Sequence, residues 1–140
     1  MPDLHGWTGQ RIDETQRIAE AARGQGEGRW HHETGYHSGR VTDERGETVV
    51  YDEGAPLPEE AAHIALNDPA TVLLRCEADR KILAAHPHTT RVINPSDGSA
   101  SAGFGCETCH GWDSVPEGRG NCATILALAG GYGWKEQADA

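Results

Sequence analysis

Three cysteines in the last third of the chain carry the clearest chemistry: Cys106-Glu-Thr-Cys109, then Cys122 after a twelve-residue interval. A Cys-x-x-Cys pair forms a tight knuckle that aims two sulfurs at one ion. Zinc favours tetrahedral sets of Cys and His, and structural zinc sites are filled by four protein ligands. The fourth ligand must come from Cys76, His86, His88 or His110. Cys76 and His86 share one predicted helix and lie about 15 Å apart along its axis, so they cannot serve the same ion. Cys76 falls mid-helix on the apolar side, where a free cysteine behaves as a small hydrophobe. His110 directly follows Cys109, an awkward place from which to reach the same ion. His86 ends the long helix on its apolar side, with His88 just beyond Pro87. The order of preference is His86, His88, His110, Cys76. Cys122 opens a predicted helix, where the positive end of the helix dipole favours a thiolate.

A closed Cys3His set leaves no position for water and contributes to folding rather than chemistry. Redox use fits less well. A thioredoxin-like pair follows a strand and opens a helix, whereas this one runs into His110-Gly111 and a loop. A second cluster is Trp30-His31-His32-Glu33 with His37. On an extended strand His31 and His32 point to opposite faces. A His-rich entry strand and a later His63 and Asn67, four apart on a helix, have the flavour of His-Asn-His nucleases, but the order and spacing are wrong. Glu59, Glu60 and His63 at helical spacing read as a surface pair. Gly103-Phe-Gly105 lacks the strand and helix of a phosphate loop, and no Gly-x-Ser-x-Gly occurs. No residue is assigned a catalytic role.

The elements that position these residues can be read from periodicity and punctuation. From Gln10 the pattern is helical, with Ile12, Thr15, Ile18 or Ala19, and Ala22 on one face. Gly6 and Gly9 weaken the stretch before it, and Gly24, Gly26 and Gly28 end it. Three short segments, 29–33, 39–43 and 48–52, read as a β-meander, with turns at Gly35 and Glu44-Arg-Gly46. Pro58 to Leu66 is a short helix with Glu59 and Glu60 in its first turn. Asn67-Asp68-Pro69 restarts the chain, Asp68 capping and Pro69 opening a long helix to Ala85 that Pro87 stops. Val72, Leu73, Cys76, Ile82 and Leu83 give that helix its apolar face. Pro87 to Gly105 reads as a long loop, and Cys122 to Ala129 as an apolar helix closed by Gly130-Gly131. Trp134 is expected to fold back.

Eight Leu, six Ile and six Val among 140 residues, against 18 Gly, make a modest core that benefits from a staple. The net charge of −10 argues against a broad phosphate-binding surface. It suits a soluble protein kept dispersed by self-repulsion, or one that docks on a basic partner. A local basic strip of Arg75, Arg80, Lys81 and Arg91 is the feature that a nucleic-acid-binding protein would use. Met1 to Gln10 is polar and broken by glycine, and no apolar run is long enough to span a bilayer. The expectation is a cytoplasmic protein with reduced thiols.

The stretch His63-Ile-Ala-Leu-Asn-Asp-Pro-Ala-Thr-Val-Leu, then Arg75, Glu77-Ala78 and Arg80-Lys-Ile-Leu-Ala-Ala-His86, resembles a family of small proteins of unknown function from actinobacteria and their phages. Cys106-x-x-Cys109 and Cys122-Ala-Thr-Ile-Leu-Ala-Leu-Ala extend the resemblance, whose specific motifs run from His63 to Ala129. It implies His86 as the ligand beside Cys106, Cys109 and Cys122, and Cys76 as packing. His63 and Asp68 also recur in the family. Asn121 stands where the family often has Pro, and Gly130-Gly-Tyr-Gly replaces a longer tail. The resemblance lends no activity.

The expectation is therefore an α+β fold. It comprises an N-terminal helix, a small antiparallel β-meander, a long central helix, and a zinc knuckle with a C-terminal helix. Residues 1–134 form one zinc-stabilised domain and 135–140 a disordered tail. The functional expectation is a non-enzymatic module with one structural Zn²⁺ on Cys106, Cys109, Cys122 and His86. Its partner would be a protein rather than nucleic acid or membrane. A nucleic-acid-binding zinc protein is the alternative, and a His-dependent metal nuclease comes after it.

Overall fold

The computed structural model describes residues 4–35, 39–51, 53, 56–89, 105–106, 108 and 122–135. The arrangement is α+β. The elements in chain order are α1 (Leu4–Arg23), β1 (Trp30–His32), β2 (Val41–Asp43), β3 (Thr48–Val50), α2 (Pro58–Leu66), α3 (Pro69–Ala85), β4 (His88–Thr89), β5 (Gly105–Cys106) and α4 (Ala123–Gly131). The chain divides into two compact units. One, the terminal unit, joins Met1–Ile12 to Ala78–Ala140; the other, the central unit, is Asp13–Glu77. Helices α1 and α3 each run from one unit into the other.

Helix α1 begins at Leu4, earlier than the glycines predict. Gly6 and Gly9 each cost about 0.5–1 kcal/mol relative to alanine in a helix. The burial pattern explains why they do not stop it. Leu4, Thr8 and Ile12, spaced by four, are all buried, and Ala19 continues the stripe. Tertiary packing of one face thus overrides local propensity. The buried Thr8 hydroxyl donates to the Leu4 carbonyl at 2.7 Å, so burial leaves it satisfied. Ala19 rather than Ile18 takes the inner position; Ile18 is 54% exposed.

In the central unit β1, β2 and β3 form an antiparallel meander in that order. His31 pairs with Thr42, and Val41 pairs with Val50 while Thr42 pairs with Thr48, so Val49 is the added residue of a bulge. The β2–β3 turn is built around Asp43, whose Oδ1 accepts the amides of Arg45 and Glu47 at 2.9 Å each. Desolvation pushes the Asp43 carboxyl up. The Glu47 and Arg45 amides and the Arg45 guanidinium outweigh it, so the group lies below its ordinary value. Helix α2 lies against β1 and β2 and buries Ala61. The Glu60 carboxylate accepts the Leu57 amide at 2.8 Å, which caps the helix from its third residue.

Asp68 does more than cap. Its Oδ1 accepts the Thr71 amide at 2.8 Å, as an N-cap should, and its Oδ2 accepts the Trp30 amide of β1 at 3.1 Å. Nearby, the Ala70 amide donates to the Gly28 carbonyl at 3.0 Å. The start of α3 and the entry to β1 are thereby tied in both directions. Gly28 has φ +78°, and a Cβ there would sit 2.8 Å from Cβ of Pro69. Only glycine meets both conditions. Desolvation raises the Asp68 carboxyl, but the Thr71 hydroxyl and amide, the Trp30 amide and the Arg29 charge together hold it below its ordinary value.

The terminal unit is built on an apolar cluster of Leu4, Ile125 and Ala129, with Trp7, Leu83, Cys122, Leu126 and Trp134 packed around it. Burying a side chain the size of Leu or Ile contributes about 1.5–3 kcal/mol. Trp134 folds back onto Trp7, edge to face, with ring centroids 5.0 Å apart. The helix stop differs from the predicted Gly130-Gly131, which lie inside the last turn of α4. The chain reverses at Gly133, with φ +95°. The Gly133 amide bonds to the Gly130 carbonyl and the Trp134 amide to the Ala129 carbonyl, the two bonds of a Schellman cap. Trp134 then completes the cap by packing beside Ala129.

Candidate metal centre

The end of α3 sets the site. Pro69–Ala85 matches the predicted helix, and His86 is the first residue past it. Pro87 cannot continue the helix and turns the chain into β4, which pairs antiparallel with β5. His88 lies opposite Cys106 in this two-stranded sheet. The predicted Pro87–Gly105 loop is therefore corrected at both ends: its margins are strands, and residues 90–104 lie outside the described residues. The pairing brings Cys106 next to the end of α3, although twenty residues separate Cys106 from His86 in sequence. Cys122 arrives from the other side as the N-cap residue of α4, its side chain making no capping bond to the first turn.

His86 Nδ1 lies 3.5 Å from Sγ of Cys106 and 3.5 Å from Sγ of Cys122. The three ligand atoms all fall within 4.8 Å of one another. Zn–S bonds of about 2.3 Å and Zn–N bonds of about 2.0–2.1 Å at a tetrahedral angle place S and N about 3.6 Å apart. Both observed separations match that edge. A neutral imidazole nitrogen has one in-plane lone pair and suits one thiol donor. Two sulfurs at equal distance from one nitrogen form a group that could hold one ion between the three atoms. The donor set, one imidazole and two thiols with Cys106 buried and Cys122 half-buried, fits a soft or borderline metal.

Of the four predicted metal ligands, His86, Cys106 and Cys122 are brought together, while Cys109 lies outside the described residues. Among the alternatives, His110 also lies outside them, and His88 is not in the group. Cys76 is 2% exposed inside α3 and stands apart from the group, where a small hydrophobe belongs.

The backbone around His86 is held by two side chains that sequence reasoning did not single out. His5 Nε2 lies 3.0 Å from the Leu83 carbonyl, and the Thr108 hydroxyl donates to the Ala85 carbonyl. Thr108 lies within the Cys106-Glu-Thr-Cys109 stretch of the sequence, so this stretch supplies a cap to the helix that His86 follows. A signal existed in principle: a helix leaves its last four carbonyls without intrahelical donors. Nothing local says which side chain answers.

Histidines 31, 32 and 63 do not assemble into a comparable group among the described residues. His31 is exposed and His32 half-buried, as opposite faces of a strand require, and His37 lies outside the described residues. His63 is exposed on α2, and Asn67 meets its backbone carbonyl rather than its ring. Glu60 is engaged at the N-terminus of α2. Arg75 of the predicted basic strip donates to Asn67 Oδ1 at 3.0 Å, and Arg91 lies outside the described residues.

Among the described residues no helix is long and apolar enough to cross a membrane. Neither the curated proteins nor the solved structures contain a match to this chain. A family model does match, over residues 1–134, and the chain belongs to the family of unknown function DUF6221.

Proposed function

We propose that this chain is a non-enzymatic module held by one structural zinc, and that it acts by binding a protein. The observation that carries the zinc reading is the pair of 3.5 Å separations from one histidine nitrogen to two cysteine sulfurs. Cys109 is the fourth ligand, because the Cys-x-x-Cys knuckle that delivers Cys106 carries it three residues on. Three thiolates and one neutral imidazole leave Zn²⁺ with a net charge of about −1, which weakens it as a Lewis acid. The chain is of actinobacterial or phage origin, and the reducing cytoplasm in which it works keeps such thiols available.

The charge distribution supports a protein partner of basic character. The central unit holds fourteen acidic and six basic residues, a net −8 of the total −10. Such a field repels phosphate backbones and speeds encounter with a basic protein surface.

Native mass spectrometry on protein purified without a His-tag tests the zinc reading. One zinc per chain is expected, lost in Cys106→Ser and Cys122→Ser. A metal-free chain with freely reactive thiols would overturn it.

A further inference from the structure

Helix α3 ends on a local defect. In α geometry the amide four residues on bonds to each carbonyl, so the Leu83 carbonyl would take the amide of residue 87. That residue is Pro87, which has no N–H. Two groups occupy the position instead. The His86 amide reaches the Leu83 carbonyl at 3.2 Å, tightening the last turn to the 3₁₀ type. The imidazole of His5 reaches the same oxygen at 3.0 Å from the first turn of α1. A carbonyl oxygen only accepts, so Nε2 of His5 carries the proton of that bond.

From this we infer that His5 is a positioning residue for the metal centre: its ring N–H replaces the amide that Pro87 lacks and fixes the turn that presents His86. The inference rests on the zinc reading above. Three observations support it together. His5 bonds to the carbonyl that also receives the amide of the ligand residue itself. Its neighbours in α1 are fixed independently, Leu4 being buried with Ile125 and Ala129 and Trp7 meeting Trp134 edge to face. The ring is therefore delivered by a packed helix. The Thr108 hydroxyl meanwhile closes the Ala85 carbonyl, leaving the ligand-bearing turn held from both sides. Groups that orient a metal ligand commonly change affinity by about 10–100-fold when removed.

The experiment compares two variants. His5→Phe keeps the ring's bulk and removes the donor; His5→Gln places an amide N–H near the same point. Zinc affinity is measured by competition with a chromogenic chelator, and coordination geometry by the d–d absorption of the Co²⁺-substituted protein. His5→Phe is expected to bind zinc about 10–100-fold more weakly and to shift the Co²⁺ bands. His5→Gln is expected to restore both toward wild type. If His5→Phe matches wild type in affinity and spectrum, the positioning role is wrong while the zinc reading stands. If His5→Gln is as weak as His5→Phe, an N–H donor near this point does not restore the site and the donor argument fails. Should His5→Phe not fold, His5→Gln decides alone, since near-wild-type affinity is required of it. A wild-type protein that takes up neither Zn²⁺ nor Co²⁺ overturns the zinc reading and this inference with it.

Discussion

The two units of this molecule are stabilised by different physics. The central unit is a continuous stretch of chain held by hydrogen bonds to carboxylates. Asp68 ties α3 to β1, Asp43 shapes the β2–β3 turn, and Glu44 accepts the amides of Glu27 and Arg29 ahead of β1. The terminal unit draws on both ends of the sequence. It has a small apolar cluster, two tryptophans in edge-to-face contact, and a thiol–imidazole group of metal-binding geometry. Where the chain is contiguous, backbone donors and short acidic side chains suffice. Where segments far apart in sequence must meet, loop closure is costly, and an ion that gripped several of them at once would offset that cost.

Metal removal should divide the units most sharply. Chelation, or Cys122→Ser, is expected to expose the α4 and α3 C-terminal amides to hydrogen exchange while β1–β3 keep their protection. Zinc-finger peptides draw about 10–16 kcal/mol of apparent free energy from their metal, so this should be the largest effect. Equal loss of protection in both units would erase the distinction.

Asp68→Ala should reverse the pattern. It removes an N-cap and strands the half-buried Trp30 amide, a loss of about 2–3 kcal/mol. Denaturant unfolding should show the loss, with zinc affinity unchanged. The same residue sets a pH dependence. Its carboxyl is held below the ordinary aspartate value, so its contribution is present above the unfolded pKa and is lost as pH falls through the folded pKa. Asp68→Asn should flatten this acid limb; an unaltered limb would assign it to other carboxylates.

The smallest effect is at Gly28. Alanine there meets both a left-handed backbone and Pro69, and about 1–2 kcal/mol of destabilisation confined to the central unit is expected. A neutral substitution would show that the β1–α3 junction yields easily.

Much of the α-helical layout was legible because its punctuation is local. Pro58, the Asn67-Asp68-Pro69 restart and Pro87 set the bounds of α2 and α3. The position of His86 past the last helical residue followed from the same signals. The start of α1 was missed because Gly6 and Gly9 speak against a helix while the partners of Leu4 lie more than a hundred residues away. The β4–β5 pair was missed because two-residue strands carry no periodicity and pair only through distant sequence. Gly130 and Gly131 looked like a stop, yet the cap needs a left-handed residue, and that is Gly133. His5 was invisible because its role answers a missing amide 82 positions away.

The interleaving of the terminal unit also bears on synthesis. A ribosome releases α1 first, and the central unit can close as soon as Glu77 has emerged. Leu4 and His5 must then wait, unpartnered, until Leu83 and finally Ile125 and Trp134 are made. A metal on His86, Cys106 and Cys122 would thus be captured only once Cys122 has been made. A nascent chain stalled before Cys122 would present the apolar stripe of α1, without Ile125 and Ala129 to cover Leu4, to the chaperones around it.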